Sequence, residues 1–171
     1  MRKYVVIFAL SLCAVCAANE PHAYALKPRE PNWRAEIVKS HSNGNPHVIL
    51  FYQPLNDGTE TPVKQINFYD NSAIQTEMDV VIVDQDSKVA KEWKANVVAH
   101  GTRVDFSPQG HLARAATYQY GLLEGETRQY YPNGKVALIE HFVNGKRHGV
   151  SQGFFEEGEL KEEMTYSDGE P

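Results

Sequence analysis

Residues 101–171 read GTRVDFSPQGHLARAATYQYGLLE (101–124), GETRQYYPNGKVALIEHFVNGKRH (125–148) and GVSQGFFEEGELKEEMTYSDGEP (149–171). Set out this way, three copies of one 24-residue unit align. Six columns agree in class: Gly101, Gly125 and Gly149; Phe106, Tyr130 and Phe154; Gly110, Gly134 and Gly158; Leu112, Val136 and Leu160; Tyr118, Phe142 and Tyr166; Gly121, Gly145 and Gly169. Nine of the chain's 12 glycines fall in three of these columns, which chance does not produce. A fixed period of this length marks a repeat protein.

The glycines define the unit. Pro132-Asn133-Gly134, Asn144-Gly145 and Asp168-Gly169 are tight-turn sequences, because Gly, and less readily Asn or Asp, takes the positive φ that hairpin turns demand. Between turns lie runs of about ten residues rich in aromatic and branched side chains. Each unit therefore predicts two antiparallel strands, and successive units extend a meander. The fold class expected is all-β: an elongated, twisted sheet of about ten strands with little helix. Gly101, Gly125 and Gly149 fall inside strands, where glycine signals a bulge or a close backbone approach. Strict alternation puts Leu112 with Tyr118, Val136 and Leu138 with Phe142, and Leu160 with Tyr166 on shared faces.

Upstream the pattern thins. In VKQINFYDNSAIQTEMDVVIV (63–83), Phe68, Ser72, Ile74 and Val80 match the aromatic, turn-glycine, aliphatic and second aromatic columns. The next copy follows at an offset of 38 residues, so about 14 extra residues intervene. Asp84–Val98, with Trp93, is the candidate insertion. Asn43-Gly44 joins two strand-like runs, Glu36–His41 and His47–Tyr52. The organisation expected is a signal segment (1–18), a Pro-containing linker (19–35), a divergent hairpin region (36–100) and three repeats (101–171). In the last repeat the strand Glu159–Tyr166 is expected to be a sheet edge.

The N-terminus reads as an export signal. Arg2 and Lys3 open it, Tyr4–Val15 is apolar but for Ser11, and Cys16-Ala17-Ala18 offers small residues for cleavage. A membrane-spanning helix needs roughly 20 apolar residues, and Asn19-Glu20-Pro21 ends this stretch early. Cleavage removes Cys13 and Cys16, so no thiol chemistry remains. Lipid attachment is the alternative, but Leu12 and Val15 precede the cysteines where a small residue is wanted. Net charge is −5, and residues after 18 carry 15 Lys+Arg against 22 Asp+Glu, or −7. That sign opposes nucleic acid and anionic lipid.

No catalytic, cofactor or metal site emerges. None of the seven histidines recurs in a column. His111 and His148 flank turns, His141 lies opposite the Phe142 face, and no His-x-His or His-Glu-x-x-His occurs. Asp84-x-Asp86 begins like a calcium loop, yet Lys88 and Ala95 stand where ligands are needed. Ser151 lies in Gly149-Val-Ser-Gln-Gly153, mid-strand and without the helix a nucleophile elbow requires. The acidic run Glu156, Glu157, Glu159, Glu162 and Glu163 reads as a solvated face, with attraction of a basic partner as the alternative. Aromatic columns can stack sugars or bases, but core packing accounts for columns that recur with a repeat.

The unit, an aromatic residue before one Gly turn and another aromatic before a second, resembles the MORN-repeat variant family, some of whose members are labelled YwqK-type antitoxins. The resemblance covers 101–169 and, more weakly, 63–83, where Ser72 replaces a turn glycine and Thr61–Val63 lack a unit-opening one. It implies an antiparallel hairpin array used for interaction and carries no catalytic residues to transfer. An antitoxin role would place the protein in the cytoplasm, against the export signal.

The function expected is thus an exported, non-catalytic repeat protein. It would be periplasmic, secreted or envelope-associated, and its partner would be another protein or an envelope component. The alternatives are an enzyme with a site in 36–99 and an antitoxin-like protein that neutralises a partner by binding. An outer-membrane barrel fits poorly, since Glu140 and Glu162 interrupt the apolar faces and the chain closes on Glu170-Pro171. Intact-mass measurement of the exported protein is expected to give an N-terminus at Ala18 or Asn19. Retained Met1, or a diacylglycerol mass on a cysteine, is the contrary result.

Overall fold

The structure, a computed structural model, describes residues 24–171. The proposed signal segment with Cys13 and Cys16, and residues 19–23 of the linker, lie outside the described residues. The strands are β1 (Arg34–Ser40), β2 (Pro46–Pro54), β3 (Glu60–Phe68), β4 (Ile74–Ile82), β5 (Val97–Phe106), β6 (Leu112–Gln119), β7 (Leu122–Tyr130), β8 (Val136–Val143), β9 (Lys146–Arg147), β10 (Gly149–Phe154) and β11 (Leu160–Tyr166). One helix, α1 (Lys88–Trp93), stands between β4 and β5. All 11 strands form one antiparallel sheet in chain order, β9 and β10 both pairing with β8. The all-β meander read from the repeat is what the chain forms.

One turn closes hairpin after hairpin. In His41–Asn45, Leu55–Thr59, Tyr69–Ala73, Ser107–His111, Tyr131–Lys135 and Phe155–Glu159, the first residue's N–H donates to the fifth carbonyl and the fourth N–H to the first carbonyl, at 2.8–3.1 Å. The fourth residue is left-handed in each, with Gly134 at φ +84°. This is a type I turn followed by a left-handed bulge residue. Ser72 adopts φ 67°, so the serine fills the glycine's conformation as well as its column. Asp57-Gly58, not recognised from the sequence, makes the same turn.

At the opposite end a two-residue turn recurs in the repeats. Tyr120-Gly121, Asn144-Gly145 and Asp168-Gly169 all have positive φ, the geometry that matches strand twist. Each glycine N–H reaches a carbonyl on the preceding hairpin: Ala99 at 2.8 Å, Leu123 at 2.9 Å and Arg147 at 2.9 Å. The strand glycines Gly101 and Gly125 sit where strand register skips, and Gly149 opens β10 after a break at His148.

Strict alternation fails for the aliphatic column. Ile74 packs beside the buried Ile49, Phe51 and Ile66, whereas Val80 packs with Met78, Ala99, Ala116 and Tyr118. Their even spacing called for one face. The register slips between Asn67 and Phe68 against this stretch, so Gln75 is an extra residue that turns the alternation over. The same slip recurs at Phe106, Tyr130 and Phe154. The shared faces expected for Leu112 with Tyr118, Val136 with Phe142 and Leu160 with Tyr166 therefore do not follow, and Leu160 is 52% exposed.

The insertion folds as a short cover. Ser87 caps α1 by accepting the Ala90 N–H at 3.1 Å. Trp93 then donates to the Gly121 carbonyl at 3.0 Å and meets Tyr118 edge-on. A Cβ at Gly121 would collide with Val89. Gly134, by contrast, has open space around it, so substitution there tests backbone conformation alone. Gly134→Val is expected to cost more than about 1 kcal/mol in thermal unfolding, Lys135→Val much less, and Ser72→Gly should hold or raise the melting point.

Candidate interaction surface

The segment before β1 is a strap across one face of the sheet. Going backwards from β1, Arg29 lies over the Phe51 ring at 5.5 Å. Lys27 N–H donates to both Asp79 carboxylate oxygens at 3.1 and 3.3 Å. The Ala25 carbonyl accepts from Thr102 Oγ1 at 3.1 Å, and the Tyr24 hydroxyl donates to Glu126 Oε1 at 3.2 Å. Burial, and then the Glu126 carboxylate, raise the Tyr24 phenol well above its ordinary range. The strap's side of the sheet thus runs Phe51, Asp79, Thr102 and Glu126, from β2 to β7.

Beneath it lies a buried charge cluster. Lys64, 0% exposed, places Nζ 2.9 Å from Asp79 Oδ1 and 3.1 Å from Glu77 Oε1. Ions withdrawn from water survive only when paired and hydrogen-bonded. Two carboxylates against one ammonium leave one negative charge in excess, and the Lys27 N–H supplies a further donor to it. Farther along this face, Arg128 Nε donates to Glu126 at 2.6 Å and His141 Nε2 lies 3.6 Å from Glu126 Oε2.

The other face is organised by α1 as far as β7, where Trp93, Val97 and Leu123 pack on Met78, Val80, Ala99, Ala116 and Tyr118. Beyond it the buried Glu140 pairs with Arg147 at 2.7 Å, and Arg147 stacks over Tyr166 at 5.2 Å. No described contact of strap or helix reaches β8–β11. Val143, Val150, Phe155, Leu160 and Met164 are exposed there. A shallow groove beside the Gly125 and Gly149 positions is lined by Glu124, His141, Phe142, Val143, His148 and Val150.

The column residues thus serve turns, bulges and packing and do not converge on a point. Tyr118 is buried, Phe142 and Tyr166 half-buried. Ser151 lies within β10, paired with Met164. Asp84 accepts the Asp86 N–H in the turn before α1. His41 stacks on His47, and His100 lies tilted against Tyr120. Among the described residues no group of three or more His, Cys, Asp or Glu is arranged to hold a metal ion, and no helix is long and apolar enough to cross a membrane. The strap and the Lys64 cluster escaped sequence reading. A lysine at an inward position flanked by Val63 and Ile66 was the one available signal.

The family model of the MORN repeat variant matches residues 123–144 and 147–168. These stretches are the β7–β8 hairpin and the hairpin of β9, β10 and β11, and the chain carries MORN repeat variants there. The turn geometry of 107–111 and 69–73 extends the same construction upstream. Comparison with curated proteins and with solved structures finds no match. Removing the ammonium should expose how much the fold relies on the buried cluster. Lys64→Met is expected to cost about 3–5 kcal/mol in denaturant unfolding, whereas Lys88→Met, at a 90% exposed side chain paired with Glu92, should leave the midpoint unchanged.

Proposed function

We propose that the protein is an exported, non-catalytic binding module whose contact surface is the β8–β11 end of the sheet. The observation that carries this reading is the uncovered end itself. Among the described residues, strap and helix pack on β2–β7, where Leu55, Ile82 and Tyr120 are exposed only at turns and strand ends, while β8–β11 leave Val143, Val150, Leu160 and Met164 in solvent. Val143, Val150 and Leu160 share one face of this end, and exposed apolar side chains grouped on a face mark an interaction site. The uncovered strands fall within the stretches matched as MORN repeat variants, which begin in β7, and that repeat type serves protein or membrane binding. The broad surface suits a macromolecule better than a small substrate, which needs a concave site with converging polar groups. Export rests on the basic, apolar and small-residue pattern of residues 1–18. It makes another exported protein or an envelope component the partner class.

Photo-crosslinking in the host that exports the protein tests the reading. A probe at Val150 or Leu160 is expected to give a discrete adduct, and a probe at Leu55, exposed but distant, none. No adduct from either site, or the same adducts from all three, would overturn it.

A further inference from the structure

Among the described residues β11 has a neighbour on one side only, β10. Its other side presents unpaired N–H and C=O groups, to which a further strand can add. The two edges of the sheet differ. β1 is irregular twice, between Ile37 and Lys39 and between Lys39 and Ser40, and irregular edges resist pairing. In β11, Glu162–Tyr166 run in unbroken register with Gly149–Gly153, and no proline interrupts them.

Charge then distinguishes the possible neighbours. Residues 149–171 hold seven of the 22 acidic residues and one of the 17 Lys+Arg, a local −6, so residues 1–148 carry +1. Without residues 1–18 the upstream chain carries 14 Lys+Arg against 15 Asp+Glu, so nearly all of the negative excess sits on residues 149–171. In earlier strands Glu36, Glu60, Glu77, Asp79, Asp105, Glu126 and Glu140 all form ion pairs. Among the described residues Glu156, Glu157, Glu159, Glu162 and Glu163 form none, Glu163 taking only the Gln152 amide at 2.8 Å. Along the same strand Leu160 is 52% exposed and Met164 47%.

We infer that β11 accepts an extended, lysine- or arginine-rich segment of a partner protein as an added strand. Main-chain hydrogen bonds along the edge supply the affinity. Side chains alternate along the strand, so Glu162 with Met164 on one face and Glu163 with Leu160 on the other each offer a carboxylate for a basic side chain and an apolar neighbour beside it. This deepens the binding-module reading and rests on it. A second copy is the weaker occupant. Pairing β11 with β11 would set Glu162 and Glu163 against their equivalents, and like charges across a ladder repel. A second copy's β1 would lack the bonds that stack one turn on the next, since Phe155 and Glu157 occupy the positions from which Tyr131 and Asn133 donate.

The test uses the purified protein and a short fluorescent peptide in which Lys-Lys and Val-Val pairs alternate, so that each face presents both kinds of side chain. Binding is read by anisotropy and by hydrogen exchange of residues 160–166. The peptide should bind and slow exchange there. The same peptide N-methylated at alternate residues keeps its charge but cannot pair, and should bind roughly tenfold more weakly. Glu162→Lys with Glu163→Lys should lose a similar factor, while Glu156→Lys with Glu157→Lys, the same charge change in the turn, should lose little. Equal binding of the methylated peptide would reduce the effect to charge alone and overturn the proposal, as would no binding. Protection of 160–166 before peptide is added, with a mass above one chain, would assign the edge to a second copy instead. If the peptide fails while the Val150 crosslink persists, strand addition falls and the wider binding reading stands.

Discussion

The sheet depends on bonds that tie turn to turn at three of the four junctions along one end. Because strands alternate in direction, the turns at His41–Asn45, Tyr69–Ala73, Ser107–His111, Tyr131–Lys135 and Phe155–Glu159 all lie at one end. There the Tyr69 hydroxyl donates to Phe106 O at 2.8 Å and the Tyr131 hydroxyl to Phe154 O at 2.7 Å. His41 Nε2 lies 2.9 Å from Phe68 O in the same relation. The third turn residue makes a second tie: Asn43 to Asp70 O at 3.0 Å, Asn71 to Pro108 O at 3.4 Å and Asn133 to Glu156 O at 3.2 Å. A hairpin alone is marginal in water. These ties, with the glycine N–H bonds at the opposite end, make neighbouring hairpins one structure.

Register follows from the turns, and the polar interior follows from register. The left-handed fourth residue fixes how β3 and β4 pair, which sets Lys64 opposite Asp79 and Ile66 opposite Glu77. One ammonium then meets two carboxylates on one face. A slip of one residue would send Lys64 to the other face and leave both acids without a cation. The cluster therefore penalises misregister far more than an apolar pair would. The strap closes the site by donating a main-chain N–H to Asp79.

The sequence made the hairpin array legible because the turn needs a left-handed residue at a fixed place. Nine glycines in three columns were enough to read the meander, its antiparallel pairing and the β11 edge. Ser72 was readable only by its column, since serine takes positive φ without announcing it. The Leu55–Thr59 turn was missed for another reason. Turns centred on Gly44, Gly58 and Ser72 follow each other at 14-residue steps, at alternate ends of the sheet, so the 24-residue period is absent there. The bulge beside each aromatic column was also invisible, because one extra strand residue leaves the column spacing intact while reversing which face the aliphatic residue meets.

What covers a strand decides how clearly it shows its repeat. Among the described residues little lies over β8–β11 except neighbouring strands, so side chains there answer to the repeat alone and the columns stay visible. Over β3–β6 each face has a second partner. Val80 and Ala99 pack near Trp93, and Asp79 answers to Lys64 and Lys27. There the column residue gives way to those partners: Val80 stands where the repeats have an aromatic ring, and the Trp93 indole occupies space beside Tyr118. The same trade explains where apolar surface is left. Covering β2–β7 takes the strap and an insertion of about 14 residues, and among the described residues neither contacts the last hairpins. Their Val150, Leu160 and Met164 keep water contact, which costs on the order of 25 cal/mol for each Å² of apolar surface left unburied. A covering partner would recover that free energy, and the carboxylates of β11 restrict which partner can do so.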